Sequence, residues 1–141
     1  MKSDKENLNT ILDTTFKFAK KTAKDFYFKI WAKNPPKCPA FDGEMIHISR
    51  YGWEHLTRLR KRTKFELLGR LFVLERAREL LETSLHFQLH VQRKDMDFWI
   101  FEAEVEGVRL KVVVRSIQGD ERHFYSVIRK GSAQKEIDDG L

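Results

Sequence analysis

The chain is poor in residues that staple, interrupt or span. It holds one cysteine, Cys38. That excludes an intrachain disulfide and any Cys-rich zinc site, and a reducing compartment is the natural reading. Its three prolines, Pro35, Pro36 and Pro39, fall in one short segment. Only there is the chain marked as unable to continue a helix. No apolar run approaches the roughly 20 residues that cross a bilayer. The N-terminus, Met1-Lys2-Ser3-Asp4-Lys5-Glu6-Asn7, has no signal-peptide core. A soluble, cytoplasmic protein without membrane association is therefore expected. Internal repeats and low-complexity tracts are also lacking. Acid is short relative to base: 21 Asp and Glu against 27 Lys and Arg, a net charge of +6. That excess favours an anionic partner without naming one.

What is present suits one domain with a real core: 141 residues, 41% of them hydrophobic. Its clearest element is a hairpin. Residues 98–105 run to Glu106-Gly107, and residues 108–115 run back. A two-residue loop ending in Gly is a strong hairpin signal. With that loop, Val105 pairs Val108, Glu104 pairs Arg109, Ala103 pairs Leu110 and Glu102 pairs Lys111. Phe101 then meets Val112, and Trp99 meets Val114. Apolar side chains oppose apolar ones on one face, and both carboxylates oppose cations on the other. A slip of one residue would destroy every pair at once.

Around the hairpin the chain reads as α+β, with N-terminal helices packed on one face of a four-stranded antiparallel β-meander. Residues 1–33 form an amphipathic helix opened by a Ser3/Glu6 capping box. Leu8, Ile11, Leu12, Phe16, Ala19, Ala23, Phe26, Tyr27, Ile30 and Trp31 recur at helical spacing. Lys17, Lys20, Lys21 and Lys24 occupy much of the remaining face, which reads first as solvated and second as phosphate-facing. The helix could instead serve oligomerisation or partner docking. Residues 34–43 are a Pro-rich linker, residues 44–130 the core, and residues 131–141 a polar tail. Ser49 caps a helix over about residues 50–59. A basic run over 58–64 follows, and Thr63 with Glu66 opens one long helix that ends near Thr83. Residues 85–92 alternate as a half-buried strand, with Leu85, Phe87, Leu89 and Val91 inward and His86, Gln88 and His90 outward. A last turn centred on Gly119-Asp120 leads to a closing strand over 123–129.

The hairpin register sorts the residues that could do chemistry. A closing loop of even length pairs Val114 with Tyr125 and Val113 with Ser126, and sets Arg115 opposite Phe124. Arg115, Lys111 and Ser126 then share the open sheet face, with Tyr125 and His123 toward the helices or at the margin. A bulge would exchange the two groups. Cations, a hydroxyl and nearby imidazoles suit phosphodiester chemistry. Arginine binds phosphate bidentately, and histidine exchanges protons near neutrality. His47, at a strand-to-helix junction, and His55, on the short helix near the basic run, are the histidines placed to take part. The sequence offers no convincing cluster of metal-binding acids, and no cofactor is expected.

Ile46-His47-Ile48-Ser49 precedes a helix carrying Glu54-His55-Leu56. A long helix and a meander ending in Val112-Val113-Val114-Arg115-Ser116-Ile117 and His123-Phe124-Tyr125-Ser126-Val127-Ile128 follow. Over residues 45–129 this pattern resembles the phage- and mobile-element-associated branch of the barnase–EndoU–colicin–RelE-like nucleases. The resemblance implies a metal-independent ribonuclease, often a toxin. It sets the family's histidine or basic site on His47 or His55, its strand cation on Arg115, and its late hydroxyl on Ser126 beside Tyr125. The expected function is endoribonucleolytic cleavage by 2′-hydroxyl transesterification, in a toxin–antitoxin or phage system. His47 or His55 would move the protons. Arg115, helped by Arg62 or Lys64, would hold the phosphate, with Arg58 and Lys111 adding substrate contacts. The partners are RNA and, for a toxin, an acidic antitoxin or immunity protein over the open face. The alternative is a non-enzymatic module of a mobile element that binds nucleic acid or protein. Substrate RNA and oligomeric state are not encoded in any motif.

Overall fold

The computed structural model describes residues 4–58 and 63–130. Helix α1 (Asp4–Asp25) runs directly into a π-helical turn, Phe26–Trp31. The buried residues explain the widening. Ala19, Ala23, Tyr27 and Trp31 recur at every fourth position. In a helix of 3.6 residues per turn such a row drifts by about 40° per step. A wider turn absorbs the drift, so Tyr27 and Trp31 both reach the core, each fully buried. The apolar row at the helix start is not used this way, and Leu8 and Ile11 are exposed. Ser3, half of the expected capping box, lies outside the described residues.

The segment read as a linker is ordered. Strand β1 (Lys37–Cys38) and a 3₁₀ turn, Pro39–Phe41, lead to strand β2 (Glu44–Met45), which pairs back on β1. Cys38 and Phe41 are buried, and burial pushes the Cys38 thiol up from its ordinary value. Helix α2 (Arg50–Thr57) follows, with Ser49 Oγ accepting from the Gly52 N–H at 3.0 Å. Thr63 Oγ1 accepts likewise from Glu66 N–H at 3.1 Å, opening helix α3 (Lys64–Phe72). The single long helix expected here is two. At Val73 the chain turns, and helix α4 (Leu74–Thr83) takes a new direction. The turn lets α3 pack on α1 while α4 packs on the sheet and on β1. Neither Pro nor Gly marks the turn, so local sequence gives no sign of it.

Four antiparallel strands complete the chain in sequential order: β3 (Leu89–Arg93), β4 (Met96–Val105), β5 (Val108–Ile117) and β6 (His123–Arg129). The β4–β5 register is the one derived above, pair for pair from Val105–Val108 to Trp99–Val114. Glu106 and Gly107 have φ of 50° and 79°, the pair of positive values that a type I′ turn requires. Trp99, Phe101, Leu110, Val112, Val114, Phe124 and Val127 face the helices and join Tyr27 and Trp31 in one core. N-terminal helices thus cover one face of a four-stranded antiparallel sheet, and the architecture is α+β. The other face is less open than expected. Phe98, Ile100 and Val113 are buried there with Val91, Met96 and Tyr125 against them.

Two local expectations are corrected. The Cα atoms of Glu104 and Arg109 are paired, but among the described residues no cation lies within 4.0 Å of the Glu104 carboxylate. Glu102 instead gathers Lys130 at 2.9 Å and Arg109 at 3.9 Å. In the 85–92 segment only the part from Leu89 onward is strand, and its facing is the reverse of that expected. Leu89 pairs Ile100 and Val91 pairs Phe98, on the face away from the helices. His90 pairs Trp99 and stacks on it, ring centroids 5.1 Å apart. The alternation was read correctly, but pairing with β4 decides which set faces the helices. Among the described residues no helix is long and apolar enough to cross a membrane.

Candidate functional site

The bulge weighed as an alternative is present, and it builds the site. Val113 pairs Ser126, yet Val114 pairs Phe124 and Arg115 pairs His123, so Tyr125 is the extra residue. Phe124 therefore enters the core, 1% exposed, where an unbulged strand would put Tyr125. His123 moves to the same face as Arg115. The Tyr125 ring lies against Phe98 on that face, centroids 5.7 Å apart.

His47 is brought to His123 by a different route. Its N–H donates to Arg122 O at 2.9 Å, and its carbonyl accepts from Phe124 N–H at 2.8 Å. This isolated parallel bridge to His123 fixes the two backbones side by side. The imidazole centroids are 6.0 Å apart. His123 Nδ1 lies 3.1 Å from the carbonyl oxygen of Glu121. A carbonyl only accepts, so this contact requires a proton on Nδ1, and the neutral form of the ring then carries its lone pair on Nε2. His47 Nε2 is 3.9 Å from the Glu121 carboxylate, which forms an ion pair with it whenever that ring is protonated.

His123 lines an open cavity of about 490 Å³, whose other polar lining is Ser49, Tyr51, Arg115, Asp120 and Glu121, with Met96 and Ile117 as its apolar wall. Arg115 lies between two rings, its guanidinium carbon 4.7 Å from the centroid of Tyr51 and 4.8 Å from that of Tyr125. Among the described residues no carboxylate lies within 4.0 Å of it. Stacking holds the guanidinium plane while leaving its N–H edge for a ligand. Behind Tyr125, His55 continues the stack, centroids 4.2 Å apart and planes at 21°. Tyr51→Ala removes one of the two faces that hold Arg115. An exposed contact of this type is worth about 0.5–1 kcal/mol, so any activity that depends on Arg115 should fall about two- to fivefold. The melting temperature should not move, since Tyr51 is exposed.

The floor is tied to the N-terminal helix. Tyr27 Oη donates to Ser49 O at 2.9 Å, and Trp31 Nε1 donates to Ile46 O at 2.9 Å. Burial pushes the Tyr27 phenol well above its ordinary value, against the smaller opposing effect of the Ser49 N–H, so it remains a donor. Ile46 and Ser49 flank His47 and Ile48, and both are thus held by side chains of the π-helical turn that extends α1. Gly52 completes the packing. A Cβ there would stand 2.9 Å from Tyr27 Oη and 3.0 Å from the Phe124 carbonyl oxygen. Gly52→Ala should cost about 1–3 kcal/mol, read as a lower urea midpoint, and an unchanged midpoint would show that this contact relaxes freely.

The other expected site residues are dispersed. Ser126 is 5% exposed and does not line the cavity. Lys111 lies on β5 four residues before Arg115, about 14 Å away at 3.4 Å per residue. Arg58 follows α2 and is exposed. Lys64 opens α3, and Arg62 lies outside the described residues. Tyr51 and Glu121 are not among the residues expected from the sequence, and the unbulged register sets His123 away from Arg115. The bulge was the signal for His123. Tyr51 and Glu121 carry none, because each is an ordinary exposed residue until the fold brings it to Arg115 or His47. Among the described residues no three His, Cys, Asp or Glu side chains are grouped to hold a metal ion. No family model, curated protein or solved structure matches the chain.

Proposed function

We propose that the protein is an endoribonuclease that cleaves by 2′-hydroxyl transesterification without a metal. The observation that carries this reading is the pair of imidazoles, His47 and His123, 6.0 Å apart, with His123 paired across the sheet to Arg115 and its stacked guanidinium. The chemistry needs one base, one acid and one group to hold the phosphate. His123 Nε2 takes the proton of the 2′-hydroxyl. The 2′-oxygen attacks phosphorus, and the bond to the 5′-oxygen breaks. His47, ion-paired with Glu121 when protonated, gives its proton to that oxygen. Arg115 neutralises the charge gathering on the phosphoryl oxygens. The products are a 2′,3′-cyclic phosphate end and a 5′-hydroxyl end. His55 and Tyr125 act by positioning Arg115. Ser126 and Lys111 take no part in this assignment. For a toxin of this kind, the neutralising partner is an acidic protein that covers the cavity mouth.

Incubation with total RNA in EDTA, followed by end-group analysis, tests the proposal. Cleavage should leave cyclic phosphates. The rate should rise and then fall as pH increases, because one ring must be neutral and the other protonated. RNA retained without cleavage would point to a binding module. Neither cleavage nor retention would remove RNA as the ligand.

A further inference from the structure

A second cavity, of about 530 Å³, lies next to the first and has no part in the mechanism above. It is lined by Lys24, Asp25, Phe28 and Lys29 from α1 and its extension, and by Arg50, Trp53 and Glu54 from α2. Three features converge there. The first is a stripe. Lys17, Lys21, Lys24 and Phe28 are spaced i, i+4, i+7 and i+11, so they line one side of the helix. The three lysines are exposed. The second is the lining itself. Asp25 is engaged with Lys29 at 3.4 Å. Among the described residues no carboxylate lies within 4.0 Å of Lys21, Lys24 or Arg50. Phe28 and Trp53 add aromatic surface beside these cations. The third is continuity. Ser49 and Tyr51 line the first cavity, and Arg50, between them in the chain, lines the second. The first turn of α2 is the shared rim.

We propose that this second cavity and the lysine stripe form a track for single-stranded RNA flanking the scissile phosphate. This rests on the ribonuclease reading and adds that the substrate is a polymer. Cations that follow the backbone, with aromatic side chains beside them, are the arrangement that single strands use. A dinucleotide fills the first cavity alone. A longer strand crosses the first turn of α2, meets Arg50 and continues past Phe28 toward Lys24 and Lys21.

The test uses a variant in which Lys21, Lys24 and Arg50 are all changed to Gln. A control variant carries the same charge loss on the sheet, with Arg93, Lys94 and Arg129 changed to Gln. Binding of a fluorescein-labelled single-stranded ribo-oligonucleotide is measured against salt, and cleavage of that oligonucleotide is compared with cleavage of uridylyl-adenosine. The track variant should bind the oligonucleotide at least about tenfold more weakly, and its salt slope should fall by about 2, at roughly 0.7 per phosphate contact in a single strand. KM for the oligonucleotide should rise, and cleavage of uridylyl-adenosine should be unchanged. The control should behave as wild type. Equal losses in the two variants, or an equal loss on uridylyl-adenosine, would overturn the track. If the wild-type protein cleaves neither substrate, the ribonuclease reading fails. The binding comparison then still decides the track: a selective loss in the track variant upholds it, and equal binding overturns it.

Discussion

His123→Ala should lower RNA cleavage by about 10²–10⁴-fold, the usual contribution of a positioned acid or base. His47→Ala should lower it by a similar factor, and the double variant should be little worse than either single one, because each proton transfer needs the other. His55→Ala should lose far less. Its ring touches Tyr125, which in turn backs Arg115, so the imidazole reaches the phosphate only through two other side chains. The contrast between His123 and His55 is the informative part. Cleavage that survives in His123→Ala but vanishes in His55→Ala would transfer the chemistry to α2 and defeat the cavity assignment. Rescue of His123→Ala by added imidazole would mark a missing proton carrier rather than a disturbed fold.

The second large effect is on stability. Trp31→Ala should cost about 3–5 kcal/mol, as removal of a fully buried aromatic side chain does. The ring is stacked on Phe124 at 4.8 Å and its indole N–H serves the carbonyl of Ile46. Against a total stability of about 5–15 kcal/mol, that loss leaves little. Deleting residues 1–33 removes Tyr27 as well and should leave no cooperative thermal transition. A truncated chain that still melts sharply would show that the sheet and the remaining helices stand alone. Trp31→Phe keeps most of the packing and loses only the hydrogen bond, so it should separate the two contributions.

These two expectations also mark how far the sequence could be read. The hairpin was legible because its evidence is local. A Glu-Gly corner and two alternating strands determine each other, and every pair between Val105 and Val108 and between Trp99 and Val114 follows from one loop. The two helix caps at Ser49 and Thr63 were legible for the same reason. The site was only half legible. Arg115 and His47 are singled out as candidates, but the unbulged register sets His123 toward the helices or at the margin, and only the bulged alternative sets it beside Arg115. Nothing local forces that bulge. It lets Phe124 pack against both Trp31 and Tyr27, and those residues come from a helix far away in the chain. Likewise, His90 faces the helices because β3 takes its register from β4, not because of its own neighbours. The turn at Val73 is of this kind too, since it answers to what α3 and α4 pack against.

The bridge between His47 and His123 has a temporal consequence. His47 is made well before β6, the strand that partners it. Contacts between residues so distant in sequence form late, after local hairpins and helices. Until β6 docks, His47 has no second imidazole beside it and Arg115 has no Tyr125 to lie against. On the ribonuclease reading, a chain in which β6 has not docked holds no complete site for cutting RNA.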